Sequence, residues 1–499
     1  MMVDEKHAES LDPLNWKDMR LLAHRVVDES IDFLEKIREE PVWKAPPQNV
    51  LNALSSPAPK APEGAEKAYQ DYLEQILPYQ LGNAHPQFSG WYLGGGTAFG
   101  ALAEYLAAVG NNSISGGNHI GVHVESQVLN WCKDIVGFPV DASGLLVSGT
   151  SMATIVAMAV ARNASSDSDI RKDGLSSSRE LLTCYVSSEA HCCVQRALEL
   201  LGLGTRAMRV VPVDEFYRMD VHALEKMMIT DRAKGMKPFF VVATAGTTNT
   251  GAIDNLDALS TLCARQNIWL HVDGAIGAVL TLSAKHRNLV SGIEAADSLA
   301  MDFHKWMNIP FSAGCVLVRD AALHHEAFTV TPAYLEPRMR GISGGDLWLS
   351  DYGPELSRDF KALKIWLSVK EHGLNTYGKL IEKTISIAQA ITTRIEGHDK
   401  LELMAPTTIN VVCFRYNPCG FSDQELNELN EEILMRLHED GMVVPSYTKL
   451  GGRFCLRAAI VNHRTTLADA EAMITTVINT ANAIIQETPT GINRKTCLS

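Results

Sequence analysis

The sequence predicts an α/β protein: a mainly parallel central sheet with helices on both faces, a smaller α+β unit after it and a helical segment before it. Three observations predict this. Between about residues 100 and 320, short β-rich runs alternate with helical or loop sequence, the pattern of a parallel, doubly covered sheet. The length of 499 residues exceeds what one hydrophobic core usually supports, so two or three structural units are expected. A hydrophobic content of 46% with 21% charged residues is that of an ordinary folded soluble protein. The expected division is 1–84 (helical segment), 85–373 (large unit) and 374–499 (small unit).

Taken in order, residues 15–40 place Leu21, Leu22, Val26, Val27, Ile31, Leu34 and Ile37 at helical spacing, an amphipathic helix in need of a packing surface. Prolines 46, 47, 57, 59 and 62 then predict an extended linker, followed by a helix over about 65–78 that leads to His85-Pro86. Strands are predicted at 180–187, 207–212, 238–245, 268–273 and 314–319. The Ser- and Asp-rich stretch 165–178 is expected to be a surface loop. Residues 325–352 combine Gly, Arg, Ser and Pro with little periodicity, the composition of a lid or insert. A helix is expected to resume near Leu356 and run past Trp366. After Gly373 come a long helix and two strands, 408–416 and 453–461, in the small unit.

Charge and cysteine usage restrict the possible partners. The net charge of −13 is spread along the chain with no basic stripe to neutralise phosphates, which argues against nucleic acid. No apolar run reaches the roughly 18 residues needed to span a bilayer, so no membrane association is expected. The ten cysteines lack metal-ligand spacing; Cys192 and Cys193 are adjacent and the rest scattered, as for reduced, mostly buried thiols. No metal is expected. The opening MMVDEKHAES is polar and acidic, unlike a targeting peptide, and Cys497 is misplaced for a prenylation box. The expected location is cytoplasmic.

The chemistry concentrates in two segments. Asp273 ends the apolar run at 268–272, which places a carboxylate at the carboxyl end of a buried strand, where ligand sites of open α/β sheets lie. Thirty-two positions later comes Lys305, preceded by His304 and surrounded by Phe303, Trp306, Ile309 and Phe311, not the setting of a solvated lysine. An amine that can hold a cofactor as an imine, with a carboxylate to keep its ring nitrogen protonated, is the pair pyridoxal 5'-phosphate (PLP) chemistry needs. Such an amine must lose its proton to attack a carbonyl, so a desolvated or cation-rich site is required.

Other residues fit around that pair. His191 follows a predicted strand, where an imidazole could stack on a cofactor ring and exchange protons near neutral pH. Ser148-Gly149-Thr150-Ser151 precedes a predicted helix, 152–161. Hydroxyls and free N–H groups at a helix N-terminus make a phosphate site, although any N-cap has this look. The segment 246–251 (GTTNTG) adds small hydroxyl residues at the same sheet edge. No G-x-G-x-x-G follows a strand, which argues against a nucleotide-dependent oxidoreductase.

Together these features resemble the group II PLP-dependent amino acid decarboxylases, of the fold type I, aspartate aminotransferase-like class. The likeness runs over essentially the whole chain, from the N-terminal helix through His85-Pro86 to the segment 456–466 (LRAAIVNHRTT). It implies that Lys305 is the Schiff-base lysine, Asp273 the pyridinium partner, Ala275 the small residue under the ring and His191 the stacking histidine. It implies Thr150 and Ser151 at the phosphate, Asp302 and His304 near the phosphate and imine, and Thr248 near the ring substituents. Tyr334 falls where this family keeps a mobile tyrosine that protonates the substrate carbon after carbon dioxide leaves. The implied reaction is decarboxylation of an L-amino acid to its amine through a Lys305 aldimine and a quinonoid intermediate. An oxygen-consuming aldehyde synthase on the same scaffold is the alternative, and a non-catalytic binding protein a distant third. Trp91, Tyr92, Asn111 and Ser357 stand at positions the resemblance assigns to the substrate pocket. Trp91 and Tyr92 could flank a side chain, whereas Asn111 is closer to members with acidic substrates. Aromatic and acidic substrates both remain open. The N-terminal helix is expected to wrap a second subunit, giving an obligate two-fold homodimer.

Overall fold

The computed structural model describes residues 10–177, 180–330 and 338–487. Twelve strands lie in two sheets. In chain order the large sheet takes β2 (Ser143–Val147), β3 (Leu181–Ser187), β4 (Met208–Val211), β5 (Met236–Thr244), β6 (Trp269–Asp273), β7 (Ser298–Asp302) and β8 (Gly314–Val318). Their spatial order is β2-β8-β7-β6-β5-β3-β4. The pairs β3·β4, β3·β5, β5·β6 and β6·β7 are parallel, whereas β8 runs antiparallel to both β7 and β2. Helices such as Thr150–Ser165, Cys193–Leu200 and Leu256–Gln266 pack on this sheet through buried faces. Most of its strand residues are buried, so their sequences run continuously apolar rather than alternating.

The small sheet contains β1 (Phe88–Ser89), β9 (Leu401–Leu403), β10 (Val411–Tyr416), β11 (Val444–Leu450) and β12 (Arg453–Ala459), ordered β1-β11-β12-β10-β9. Its longer strands are antiparallel, but β1 joins parallel to β11 through the register Phe88↔Val444. The residues just after the N-terminal segment are thereby stitched to the C-terminal sheet. Helices Leu374–Glu396, Asp423–Asp440 and Leu467–Glu487 cover this sheet around a core that includes Phe414, Tyr416 and Leu456.

The first helix, Trp16–Glu35, is capped by Asn15, whose side chain accepts the Lys17 N–H at 3.0 Å. It buries no residue, and Leu14, Trp16, Leu21, Val27 and Ile31 are exposed. No helix among the described residues is long and apolar enough to cross a membrane. The predicted strands appear close to their expected bounds. The stretch expected as one helix near Leu356 begins instead at Lys361, because Arg358 is drawn into the interior.

Candidate active site

The parallel strands β3, β5, β6 and β7 release their carboxyl ends at one edge, where a cavity of about 380 Å³ opens. His191 follows β3, Thr244 ends β5, Asp273 ends β6 and Asp302 ends β7. Around them the cavity is lined by Ser148, Gly149, Thr150, Ser151, Gly246, Thr248, Ala275, Ile276, His304 and Lys305. Nine side chains singled out in the sequence thus meet in one place: Thr150, Ser151, His191, Thr248, Asp273, Ala275, Asp302, His304 and Lys305.

Asp302 organises one wall. Its Oδ2 lies 2.9 Å from Lys305 Nζ, and its Oδ1 accepts the Thr150 N–H at 2.8 Å. His304 Nδ1 lies 2.8 Å from the Ala313 carbonyl oxygen and 3.1 Å from the Ala313 N–H nitrogen, and Nε2 lies 3.8 Å from Asp302 Oδ2. Burial holds the His304 imidazole below the ordinary histidine range despite that carboxylate. Gly314 is required here for space. A Cβ on it would stand 2.5 Å from Gly149 Cα and 2.8 Å from Asp302 Oδ1.

Asp273 forms the floor. It is buried, and its Oδ1 accepts the Ala275 N–H at 3.2 Å. Desolvation pushes its carboxyl above the usual range, although Lys305, the Ala275 N–H and His191 pull the other way. His191 faces the cavity with an accessible ring. Desolvation against the wall lowers its imidazole more than the Asp273 carboxylate raises it. The imidazole is therefore neutral at pH 7 and available to accept a proton.

These residues fit PLP. A buried carboxylate without a bonded cation suits a pyridinium N–H. The Thr150 hydroxyl is buried without a hydrogen-bond partner among the described residues, at the N-terminus of the helix Thr150–Ser165, where a phosphate would be received. Lys305 supplies the amine between the two ends. Among the described residues no group of three or more His, Cys, Asp or Glu side chains is placed to hold a metal ion.

The profile of the pyridoxal-dependent decarboxylase conserved domain matches residues 47–417. The chain belongs to the PLP-dependent decarboxylases. It is 34% identical over 460 residues to an aromatic-L-amino-acid decarboxylase of Bacillus atrophaeus, covering 91% of this chain and 93% of that one. It is 27% identical to a phenylacetaldehyde synthase of Arabidopsis thaliana, covering 90% and 93%. Among solved structures, the Oryza sativa TDC with PLP and tryptamine superposes with a TM-score of 0.88 at 24% identity, covering 95% of this chain and all of that one, which fixes the fold as type I. PLP is the cofactor of this decarboxylase.

The remaining predicted residues fall elsewhere. Trp91, Tyr92, Asn111 and Ser357 are not among the residues lining the cavity. Tyr92 is buried, donates its hydroxyl to Asn410 at 2.9 Å and meets Trp306 edge-on at 6.1 Å. Trp91 is exposed at positive φ, and its carbonyl accepts from Arg457. Asn111 is exposed, in the left-handed position that ends the helix Ala98–Gly110; Ser357 is exposed beside Arg358. Tyr334 lies outside the described residues. Sequence reasoning missed Thr244 and Ile276. Thr244 carried a usable signal, since it closes the apolar run of β5 and pairs in register with Asp273. Arg457, on β12, is buried and donates to the carbonyls of Asn249 and Trp91 and to the Ser446 hydroxyl.

Proposed function

We propose that this enzyme decarboxylates an aromatic L-amino acid to the corresponding arylalkylamine. The reading is supported above all by Asp273 and Lys305 lining one cavity, the pair the cofactor needs. The 34% identity to the Bacillus decarboxylase over nearly all of both chains favours an aromatic substrate over an acidic one.

In this reading Lys305 would hold the cofactor through its amine, Asp273 would keep the ring nitrogen protonated and His191 would cover the ring. Thr150 and Ser151 receive the phosphate, with Asp302 and His304 behind them, while Ala275 leaves room beneath and Thr248 stands at the ring substituents. Bound there, PLP supplies an electron sink for the pair left when carbon dioxide departs. Asp302 ties the Lys305 amine to the first N–H of the helix Thr150–Ser165 and would hold it in one position for the cofactor. His191, neutral at pH 7, can take up a proton at Nε2. Tyr334 is assigned the delivery of a proton to the α-carbon, by its family position.

We also assign a homodimer, with Trp91, Tyr92, Asn111 and Ser357 serving the substrate wall across the subunit boundary. The exposed apolar face of the first helix supports it. A cytoplasmic location agrees with seven buried, unbridged thiols. We also assign the unit boundaries to 84/85 and 373/374.

The test is carbon dioxide release by the PLP-loaded protein against a panel of aromatic and acidic L-amino acids, with amine and peroxide read in parallel. Amine from aromatic members alone is expected. Turnover of acidic members alone would overturn the substrate class. Carbon dioxide with stoichiometric peroxide and aldehyde would move the chain to the synthase chemistry named for its Arabidopsis relative.

A further inference from the structure

β2, which leads into Ser148–Ser151, is an edge strand of the large sheet, with β8 on one side and no strand among the described residues on the other. An edge strand leaves N–H and C=O groups unpaired, and burying them costs free energy unless something else bonds them. At Leu146, two residues before Ser148, both groups are bonded by one ion pair. Glu125 Oε1 accepts the Leu146 N–H at 3.2 Å, and Arg358 Nη2 donates to the Leu146 carbonyl at 2.8 Å. Glu125 and Arg358 also bond each other, with side-chain exposures of 0% and 2%. Arg358 Nη1 donates to the Ile114 carbonyl at 2.8 Å, while the Arg358 carbonyl accepts the Ile114 N–H at 2.7 Å.

This is an expensive device. Two charges are withdrawn from water, and Glu125 Oε2 and Arg358 Nε are buried without hydrogen-bond partners among the described residues. Burial pushes the Glu125 carboxyl upward even beside the guanidinium. An apolar pair of similar volume would avoid burying two charges, but it would leave the Leu146 peptide unbonded and the strand end free to shift. The four segments joined are the strand entering the phosphate end of the cavity, the turn after Asn111, the helix Ile120–Val136 that carries Glu125 and the segment after Ser357.

We propose that Glu125 and Arg358 are positioning residues for the cofactor phosphate: they act as a substitute neighbour strand that fixes β2 and, through it, the Ser148–Ser151 turn. The inference rests on the reading of that turn as the phosphate end.

Its test is the ratio of affinities for PLP and for pyridoxal, which lacks the phosphate, measured on the apoenzyme by absorbance titration. General damage to the fold weakens both; displacement of the phosphate turn weakens PLP alone. In Arg358→Lys and Glu125→Gln the advantage of PLP over pyridoxal is expected to shrink roughly tenfold, the scale of one charge-assisted hydrogen bond. An unchanged ratio in both variants overturns the proposal, whether the two affinities stay or fall together. Should Arg358→Lys fail to fold, the near-isosteric Glu125→Gln decides alone. Thr150→Val serves as the reference. A ratio unmoved there shows that the turn does not hold the phosphate, and the underlying reading falls. A ratio moved there but not in the other two sinks only the role of the buried pair.

Discussion

Asp302 and Lys305 are three residues apart and joined at 2.9 Å, and the same carboxylate holds the first N–H of the helix Thr150–Ser165. The lysine assigned to the cofactor is thus tied, through a single side chain, to the helix N-terminus assigned to the phosphate. Asp302→Asn preserves an oxygen for the Thr150 N–H but turns an uncharged amide toward Lys305. A lost charge-assisted hydrogen bond amounts to about 2 kcal/mol, or roughly thirtyfold. We expect kcat to fall by that order while the secondary structure, read by far-ultraviolet circular dichroism, is unchanged. Full activity in Asp302→Asn would show that Lys305 is held by other groups.

Several histidines are buried neutral, and this gives the fold a pH limit. Desolvation lowers His324 and His463 from 6.5 to about 4, and His271 to about 3. His324 is held on both sides, by the Ser143 hydroxyl and the Tyr352 carbonyl, each at 2.8 Å. Between the unfolded value near 6.5 and these folded values the unfolded chain binds more protons, so stability falls as pH falls. The contribution is complete above pH 6.5 and is lost progressively toward pH 4. Melting temperature at constant ionic strength should decline from pH 6.5 to 4.5, before most carboxylates titrate, and less steeply in His324→Gln. A melting temperature flat across that window would contradict the assignment.

Gly314 tests how tightly the site is built. It pairs with Val147 on one side and Asp302 on the other, in the middle of three strands that all end at the cavity. The methyl group of Gly314→Ala has no space against Gly149 and Asp302. Overpacking of this kind costs roughly 1–3 kcal/mol, and the displaced atoms are those that hold Lys305 and the phosphate turn. Lower thermal stability together with weaker PLP binding is expected. Stability loss with unchanged PLP affinity would mean that the strain is relieved away from the cavity.

Much of the cavity was legible because its residues punctuate the strands. Asp273 stands out as an acid closing an apolar run, and Lys305 as a lysine among aromatics, so the pair could be read locally. The strands β2 and β7 were not legible: SGLLV and SLAMD are five residues each, rich in small or helix-compatible side chains, and only burial in the sheet decides their conformation. The antiparallel insertion of β8 left no local mark, since GCVLV reads as a buried strand of either direction. The contacts that Trp91 and Tyr92 make within the subunit are set by long-range packing. Tyr92 is committed to Asn410 and Trp306, partners more than two hundred residues away that sequence proximity cannot reveal.

The last prediction turns on the cost of an uncompensated charge. Without cofactor, Asp273 is a buried carboxylate bonded to one N–H, and desolvation raises its carboxyl. A group with a raised folded value favours its neutral form, so in the apoenzyme its ionisation above the unfolded value near 3.9 opposes folding. A pyridinium N–H reverses that balance by pairing the charge. Asp273→Asn should therefore act in opposite directions on the two forms at pH 7. The apo variant should melt higher than the apo native protein, since a buried amide costs less than a buried charge, by about 1–3 kcal/mol. The PLP-loaded variant should gain less stability from its cofactor than the native protein gains. Its kcat should drop at least about a hundredfold, because an amide cannot keep the ring nitrogen protonated. Differential scanning calorimetry of all four species reads the two stability effects directly. An apo variant that melts lower than the native apoenzyme would mean that the Asp273 carboxylate is stabilised by the protein alone, not by the cofactor.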